Sequence, residues 1–132
     1  MVLIKQLFYV SRSLAQPSDI EWILIGARTA NERRGITGML FHSGAYFAQL
    51  FEGDPYQVDA TMADIVADRR HEDVRVLMER IVTRRSCGDW RMAFLEAPGA
   101  DALLCDLHVA PMVSPGRIDR LLALLSRQFQ AA

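Results

Sequence analysis

Apolar and polar residues alternate over several short stretches of the chain and follow a helical period in others. Residues 3–10 form two alternating sets, which predicts a strand of mixed burial. Ser18 and Glu21 have the spacing of a capping box, so we expect a helix to begin at Ser18 and to end at Gly35. The apolar stripe of this helix consists of Ile20, Ile23, Leu24 and Ala27.

Four further runs of apolar residues predict strands, at residues 36–42, 45–52, 74–82 and 90–95. The first two runs are joined at Ser43 and Gly44 and therefore predict a hairpin. Asp54 can cap a helix and Pro55 suits the first helical position, so a second helix is expected to begin there. Its apolar stripe consists of Val58, Met62, Ile65 and Val66.

The order of these elements is β-α-β-β-α-β plus a fifth strand, which indicates an α+β domain of the ferredoxin-like type. The two helices would cover one face of the sheet. Residues 101–109 can form a short helix, and Ser114 and Pro115 cap a final one. We therefore expect residues 97–132 to form a helical extension in the same compact domain as residues 1–96.

The opposite face of the predicted sheet is apolar as well. A bare patch of that size would exceed the few hundred Å² that a monomer normally exposes. The C-terminal helices are therefore expected to pack on it. The strands contribute Ile4, Phe8, Val10, Tyr46, Leu50, Leu77, Ile81 and Leu95, and the final helix contributes Ile118, Leu121, Leu122, Leu125 and Phe129.

Three polar side chains interrupt faces that should be buried. Asn31 continues the stripe of the first helix, Gln49 lies between Phe47 and Phe51, and Tyr9 follows Leu7. A buried amide without a partner costs about 1–3 kcal/mol, so these groups suggest a ligand pocket between two helices and a sheet. Other roles stay open: a core tyrosine with a satisfied hydroxyl, a solvent-facing glutamine and a helix-end asparagine.

The charge balance and the absence of long apolar runs limit the functional classes to which this protein can belong. The 15 Lys and Arg residues are matched by 16 Asp and Glu residues, which argues against nucleic acid as the main partner. No run reaches the ~18 apolar residues of a membrane span, and Met1–Val10 lacks a signal-peptide pattern. A cytoplasmic protein without a membrane partner is expected.

Motifs for metal binding and hydrolysis are missing from the sequence. Cys87 and Cys105 have no ligand spacing around them, and the three histidines are irregularly placed, so no metal site is predicted. Neither a phosphate-binding glycine loop nor G-x-S-x-G nor H-E-x-x-H occurs. A non-enzymatic protein is expected.

Five motifs, in order over residues 3–95, resemble those of the BLUF family of blue-light receptors. The first is Y-x-S at Tyr9 and Ser11. The others are A-R-x-x-N-x-x-x-G-I-T-G from Ala27 to Gly38, F-x-Q-x-x-E-G from Phe47 to Gly53, D-x-R-H from Asp68 to His71, and W-x-M at Trp90 and Met92.

The resemblance implies a blue-light photoreceptor that binds FAD non-covalently, with FMN or riboflavin as further candidates. The flavin ring would lie between the two helices, with Tyr9 and Gln49 as a light-driven hydrogen-bond switch and Asn31 on the pyrimidine edge. Arg70 and His71 would lie near the O2 side or the ribityl chain. Trp90 and Met92, expected on one face of the last strand, would be the switchable pair.

Signalling is expected to act in trans, through an unidentified downstream protein, a homo-oligomer, or both. The alternative is a flavin-less, ferredoxin-like ligand-binding or interaction module. Three positions depart from the family pattern: Ala30 replaces a frequent Asn or His, Ala27 a frequent Ser, and Cys87 an aromatic residue. These three departures are expected to affect the affinity for flavin and the rate of dark recovery.

Overall fold

The computed structural model describes residues 2–130, with side chains through Gln128. Along the chain the elements are β1 (Ile4–Ser13), α1 (Pro17–Arg34), β2 (Thr37–His42), β3 (Tyr46–Gly53), α2 (Pro55–Ala67), β4 (His71–Val82), β5 (Ala93–Glu96), a 3-10 turn (Pro98–Ala100), α3 (Asp101–Val109) and α4 (Pro115–Gln130). The expected α+β order is confirmed.

The five strands form one mixed sheet in the order β4-β1-β3-β2-β5. Strands β1, β3, β4 and β2 pair antiparallel, and β5 adds to β2 in parallel. Because α1 links β1 to β2 across β3, and α2 links β3 to β4 across β1, the two helices lie side by side on one face.

The helix boundaries follow local capping chemistry. Gln16, not Ser18, is the N-cap of α1, and the Asp19 side chain accepts from the Gln16 backbone N–H at 2.7 Å. At the other end Gly35 has φ of 66°, the left-handed conformation that glycine adopts without strain, and ends the helix as expected. Asp54 caps α2 by accepting from Tyr56 N and Gln57 N, also as expected.

The second face of the sheet is covered by α3 and α4, as predicted. Leu104 and Leu107 of α3 and Ile118 and Leu122 of α4 pack with residues of β1, β2 and β3. We call this group the tail-side cluster; its buried members are Phe8, Val10, Met39, Phe41, Ala48, Leu50, Met78, Cys87, Leu104, Leu107, Val113, Ile118 and Leu122. Phe129, which was expected to join it, lies outside the described side chains.

The predicted face of β4 is correct at Leu77, which packs against the tail-side cluster, and wrong at Ile81. A bulge between the Phe8–Met78 and Tyr9–Val76 pairs places Leu77 opposite no residue of β1. Met78 therefore enters the tail-side cluster, while Ile81 pairs with Lys5 and is 54% exposed. Alternation counted forward from Leu77 to Ile81 fails because the bulge shifts the register by one residue.

Candidate functional site

A gap between two apolar clusters lies on the sheet face that carries α1 and α2. Beneath α1, Ile20 packs with Leu40, Phe47 and Met92. Beneath α2, Val58 belongs to a separate cluster with residues of β1 and β3. A cavity of about 240 Å³ opens between them. It is lined by Tyr9, Ile23, Gly26, Ala27, Ala30, Asn31, Arg34, Leu40, Phe47, Gln49, Thr61, Asp64, Ile65, Asp68, Arg70 and His71.

The floor of the cavity carries a buried hydrogen-bonded pair on neighbouring strands. Tyr9 of β1 and Gln49 of β3 are direct cross-strand partners, so their side chains lie on the same face. The Tyr9 hydroxyl donates to Gln49 Oε1 at 2.5 Å, and the two residues are 3% and 5% exposed. Their burial matches the expectation that each needs a polar partner.

The electrostatics of the floor keep the Tyr9 hydroxyl protonated. Burial raises the pKa of Tyr9 far above its usual value, and the negative charge of Asp68 adds to the shift. The Tyr9 hydroxyl is therefore protonated, and able to donate, at neutral pH. Gln49 then presents its oxygen to Tyr9 and its NH₂ group to Met92, with Nε2 3.7 Å from the Met92 sulfur.

Asn31 lies at the α1 wall and is 2% exposed. Its Nδ2 donates to the backbone carbonyl of Arg91 at 2.5 Å. The amide chemistry leaves a second N–H and the side-chain oxygen for another partner. Asn31 is therefore not a simple helix cap, although its backbone carbonyl accepts from Gly35 N and Ile36 N where α1 ends.

At the α2 wall, Arg70 and His71 line the cavity, and both side chains form hydrogen bonds with other residues of the protein. Arg70 donates through Nε and Nη2 to the two carboxyl oxygens of Asp68, which lowers the Asp68 pKa. His71 Nε2 lies 2.5 Å from the Ile65 carbonyl, which only accepts, so this nitrogen carries the proton. Nδ1 then accepts from the Ser11 hydroxyl at 2.7 Å. His71 thus offers its ring, rather than a free nitrogen, to the cavity.

Trp90 and Met92 lie on opposite faces of the sheet, contrary to the expected shared face. Met92 is 2% exposed and packs beneath α1, whereas Trp90 packs against the tail-side cluster. The reason is that the strand begins only at Ala93, so the strand alternation assumed from residue 90 does not apply. Gly38 leaves space for the Met92 side chain, because a Cβ at position 38 would lie 2.7 Å from Leu50 O and 3.3 Å from Met92 Cε.

Sequence reasoning missed two polar groups near this site. Arg28 donates through Nε and Nη2 to the Met92 carbonyl, and its spacing from Asn31 places both on one helix face. Glu52, fully buried on the tail side, accepts from Gln6, Thr37 and the backbone N–H groups of residues 86 and 87. Its place in the F-x-Q-x-x-E-G motif was the available signal.

The three departures from the family pattern fall at two places. Ala27 and Ala30 both line the cavity, so the α1 wall is less polar there than a Ser or Asn would make it. Cys87 is buried in the tail-side cluster, where burial and the charge of Glu52 raise its pKa far above the usual value. Its thiol is therefore an apolar packing group.

A ferredoxin-like sheet with a polar-floored cavity between its two helices defines a small ligand-binding α+β domain. Residues 4–93 match the family model BLUF, described as sensors of blue-light using FAD. The chain belongs to the BLUF family and is a blue-light sensor that uses the flavin FAD.

Solved structures and curated relatives agree with this assignment. The dark-state structure of BlrB, a BLUF protein, is 31% identical with a TM-score of 0.79, over 95% of this chain and 96% of that one. A bacterial light-regulated adenylyl cyclase shares the fold at 24% identity and a TM-score of 0.69, over 97% of this chain and 35% of that one.

Among curated proteins, photoactivated adenylate cyclase subunit beta of Euglena gracilis is 34% identical over 93 residues, 67% of this chain. Its counterpart in Euglena longa is 28% identical over 132 residues, 97% of this chain. The matches span only 11% and 14% of the length of those proteins. No helix within residues 2–130 is long and apolar enough to cross a bilayer.

Proposed function

We propose that the cavity between α1 and α2 holds the ring system of FAD without a covalent bond, and that Tyr9 and Gln49 are its light-sensitive pair. The observation that carries this proposal is the buried Tyr9–Gln49 hydrogen bond at the cavity floor. At neutral pH one partner is a protonated phenol and the other is an amide that can reverse its donor and acceptor ends.

The donor set of the cavity fits a flavin. A flavin ring edge combines carbonyl oxygens, an N–H and ring nitrogens, which need donors and acceptors side by side. Asn31 and Gln49 are amides that provide both kinds of group. Much of the remaining lining, in contrast, is apolar, as Ile23 of α1, Leu40 of β2 and Ile65 of α2 illustrate. These features suit the edge and the faces of a planar heterocycle.

A cavity of this size would enclose only part of the FAD molecule. About 240 Å³ is below the roughly 300–1,000 Å³ of pockets that enclose a drug-sized ligand completely. The ring system would be enclosed, and the ribityl and phosphate parts would extend towards the mouth. The mouth carries Arg34, which is paired with Asp64 at 2.8 Å, and the Arg70–Asp68 pair.

When bound, the flavin supplies absorption of blue light and an excited state that accepts an electron and a proton. Tyr9 holds the transferable proton on its hydroxyl oxygen, and within residues 2–130 it is the one phenol that lines the cavity. Reversal of the Gln49 amide would turn its NH₂ group to the Tyr9 oxygen and its oxygen to Met92. The hydrogen-bond pattern of the cavity would then differ while every covalent bond is retained.

We further propose that this chain acts as a sensor, without an enzymatic activity of its own, and signals through α3 and α4 to a partner protein or a second copy. The support is packing: Trp90, Ala93 and Leu95, which follow the site in the chain, contact the cluster that contains Leu104 and Ile118. A structural change beside Gln49 can therefore reach the C-terminal helices through side chains that are in direct contact.

Reconstitution tests the proposal directly. Purified protein should bind about one FAD per chain, release it intact on denaturation, and show a reversible red shift of its absorption under blue light. Riboflavin and FMN serve as comparison ligands for the phosphate-containing part. A protein that stays colourless and takes up no added flavin would support the flavin-less alternative instead.

A further inference from the structure

One arginine joins the two helices that flank the cavity. Arg34, the last residue of α1, donates through Nη1 to Thr61 Oγ1 at 3.1 Å and through Nη2 to Asp64 Oδ2 at 2.8 Å. Both acceptors belong to α2, and their spacing of three residues places them on one face of that helix. All three side chains line the cavity. We call these three residues the strap.

Among residues 2–130, the strap provides the side-chain hydrogen bonds and the ion pair that connect α1 with α2. Apolar packing does not replace it, because α1 and α2 pack on the sheet in two separate clusters. The other ion pair at the mouth, between Asp68 and Arg70, joins two residues on the α2 side. Each helix is thus held by the sheet, and Arg34 ties the two together across the cavity.

The strap lies where the cavity meets solvent. Thr61 is 7% exposed, whereas the side chain of Arg34 is 25% exposed and that of Asp64 is 68% exposed. The guanidinium therefore extends from a buried acceptor to an exposed one, along the rim of the cavity. Since the sheet forms the floor, the opening lies between the helices, and the strap spans it.

We propose that the strap gates flavin exchange, so that its bonds must break before the ring system enters or leaves the cavity. The proposal rests on the proposed function, in which this cavity holds the flavin ring. The bonds of the strap join protein groups only, so they stabilise the closed arrangement of the free and of the flavin-bound protein alike. Loss of the strap should therefore raise the association and dissociation rate constants by the same factor and leave the dissociation constant unchanged.

A direct contact between Arg34 and the flavin would give a different kinetic result. Loss of such a contact raises the dissociation rate constant and the dissociation constant, with little effect on association. Riboflavin is the probe of choice, because it has no phosphate that the guanidinium could attract. Association is followed by stopped-flow flavin fluorescence, and dissociation by release of tritium-labelled riboflavin into an excess of the unlabelled compound.

The test compares Arg34→Gln, Asp64→Asn and the double variant in the full chain, kept in the dark. Arg34→Gln should raise both rate constants about tenfold, because a charge-assisted bond and a bond to a buried hydroxyl are lost. Asp64→Asn should raise both by a smaller factor, since the bond to Thr61 remains. The double variant should match Arg34→Gln, because the two residues act through one contact. Arg33→Gln, which removes an exposed arginine of the same helix, should exchange flavin like the wild type.

Charge exchange and salt provide two further readouts. Arg34→Glu combined with Asp64→Arg keeps an ion pair across the opening and should exchange flavin more slowly than either single variant, in which like charges face each other. Added salt should speed exchange in the wild type, because it screens a partly exposed ion pair, and should have little effect in Arg34→Gln. Thermal unfolding of each variant checks that the fold is retained.

Unchanged rate constants in Arg34→Gln would overturn the gate. So would a raised dissociation constant with unchanged association, which would make Arg34 a direct flavin contact, or a charge-exchanged variant as fast as its single variants. These outcomes differ from a failure of the proposed function: a wild type that takes up neither riboflavin nor FAD would reject the flavin site and the gate together.

Discussion

At the residue scale, the floor of the cavity depends on the pairing of two polar side chains that the sheet excludes from water. Cross-strand pairing of Tyr9 with Gln49 brings the hydroxyl and the amide within 2.5 Å. Burial and the charge of Asp68 raise the pKa of the phenol, so Tyr9 stays protonated while the Gln49 amide can present either its oxygen or its NH₂ group to the hydroxyl. A pair with one fixed member and one reversible member can adopt two distinct states.

Replacement of Asn31 tests the wall of the same cavity. Asn31→Ala should weaken FAD binding by about 1–3 kcal/mol, because a buried hydrogen-bond partner of the ligand is lost. Fluorescence titration of flavin-free protein with FAD measures the change. Thr29→Ala is the matched control, since Thr29 lies on the exposed side of α1 and bonds only its own helix. Equal affinities in Asn31→Ala and wild type would restrict Asn31 to holding the Arg91 backbone.

The polar residues of the site differed in how readily the sequence predicted them. Tyr9, Asn31 and Gln49 interrupt apolar periodicities, and such interruptions predict buried polar groups that need partners. Arg28 could not be found in this way, because its partner is the backbone carbonyl of Met92, and for Glu52 two of the donors are backbone N–H groups of residues 86 and 87. An irregular segment has no periodicity from which its carbonyl and N–H directions can be inferred.

At the element scale, β4 and β5 show where alternation fails as a guide. The bulge at Leu77 reversed the faces beyond it, and β5 begins at Ala93 instead of residue 90. The helices were predicted more accurately because each has a local signal: Asp54 with Pro55 for α2, and Gly35 for the end of α1. Strand limits depend on pairing partners that are distant in the chain.

Glu52 is expected to anchor the loop that joins β4 to β5. Both of its carboxyl oxygens accept hydrogen bonds, and two of the donors are the N–H groups of Ser86 and Cys87. Glu52→Gln would place an NH₂ group against one of these N–H donors, so we expect a loss of about 1–3 kcal/mol in the free energy of unfolding.

Chemical denaturation measures that loss, and hydrogen exchange at residues 86 and 87 should rise in the same variant. Glu32→Gln, on the exposed surface of α1, is the control and should change the unfolding free energy by less than about 0.5 kcal/mol. If Glu52→Gln were as stable as the control, the loop would be held by other contacts.

At the scale of the whole molecule, the sheet separates two packed layers of helices. One face carries the cavity beneath α1 and α2, and the other carries the tail-side cluster beneath α3 and α4. Residues 90–95 border both layers, since Met92 packs beneath α1 while Trp90 and Leu95 pack against the cluster. We propose that residues 97–132 fold with residues 1–96 as one unit and that α3 and α4 relay the signal.

Loss of packing on the tail side should therefore destabilise the entire chain. Ile118 is fully buried, and Ile118→Ala should lower the free energy of unfolding by about 2–5 kcal/mol. Leu124→Ala on the same helix is the control, because Leu124 is 58% exposed and should cost much less. Removal of residues 97–132 should cause aggregation. A soluble truncation of unchanged stability would show that residues 1–96 form an independent unit.

The central claim is that Tyr9 and Gln49 form the light-sensitive pair, and difference spectra of FAD-loaded protein before and after blue light test it most directly. Tyr9→Phe and Gln49→Leu should retain flavin but lose the reversible red shift, because the first removes the proton donor and the second the reversible amide. Tyr56→Phe, which changes an 86% exposed tyrosine, should photocycle like the wild type. A normal red shift in Tyr9→Phe or in Gln49→Leu would contradict the account.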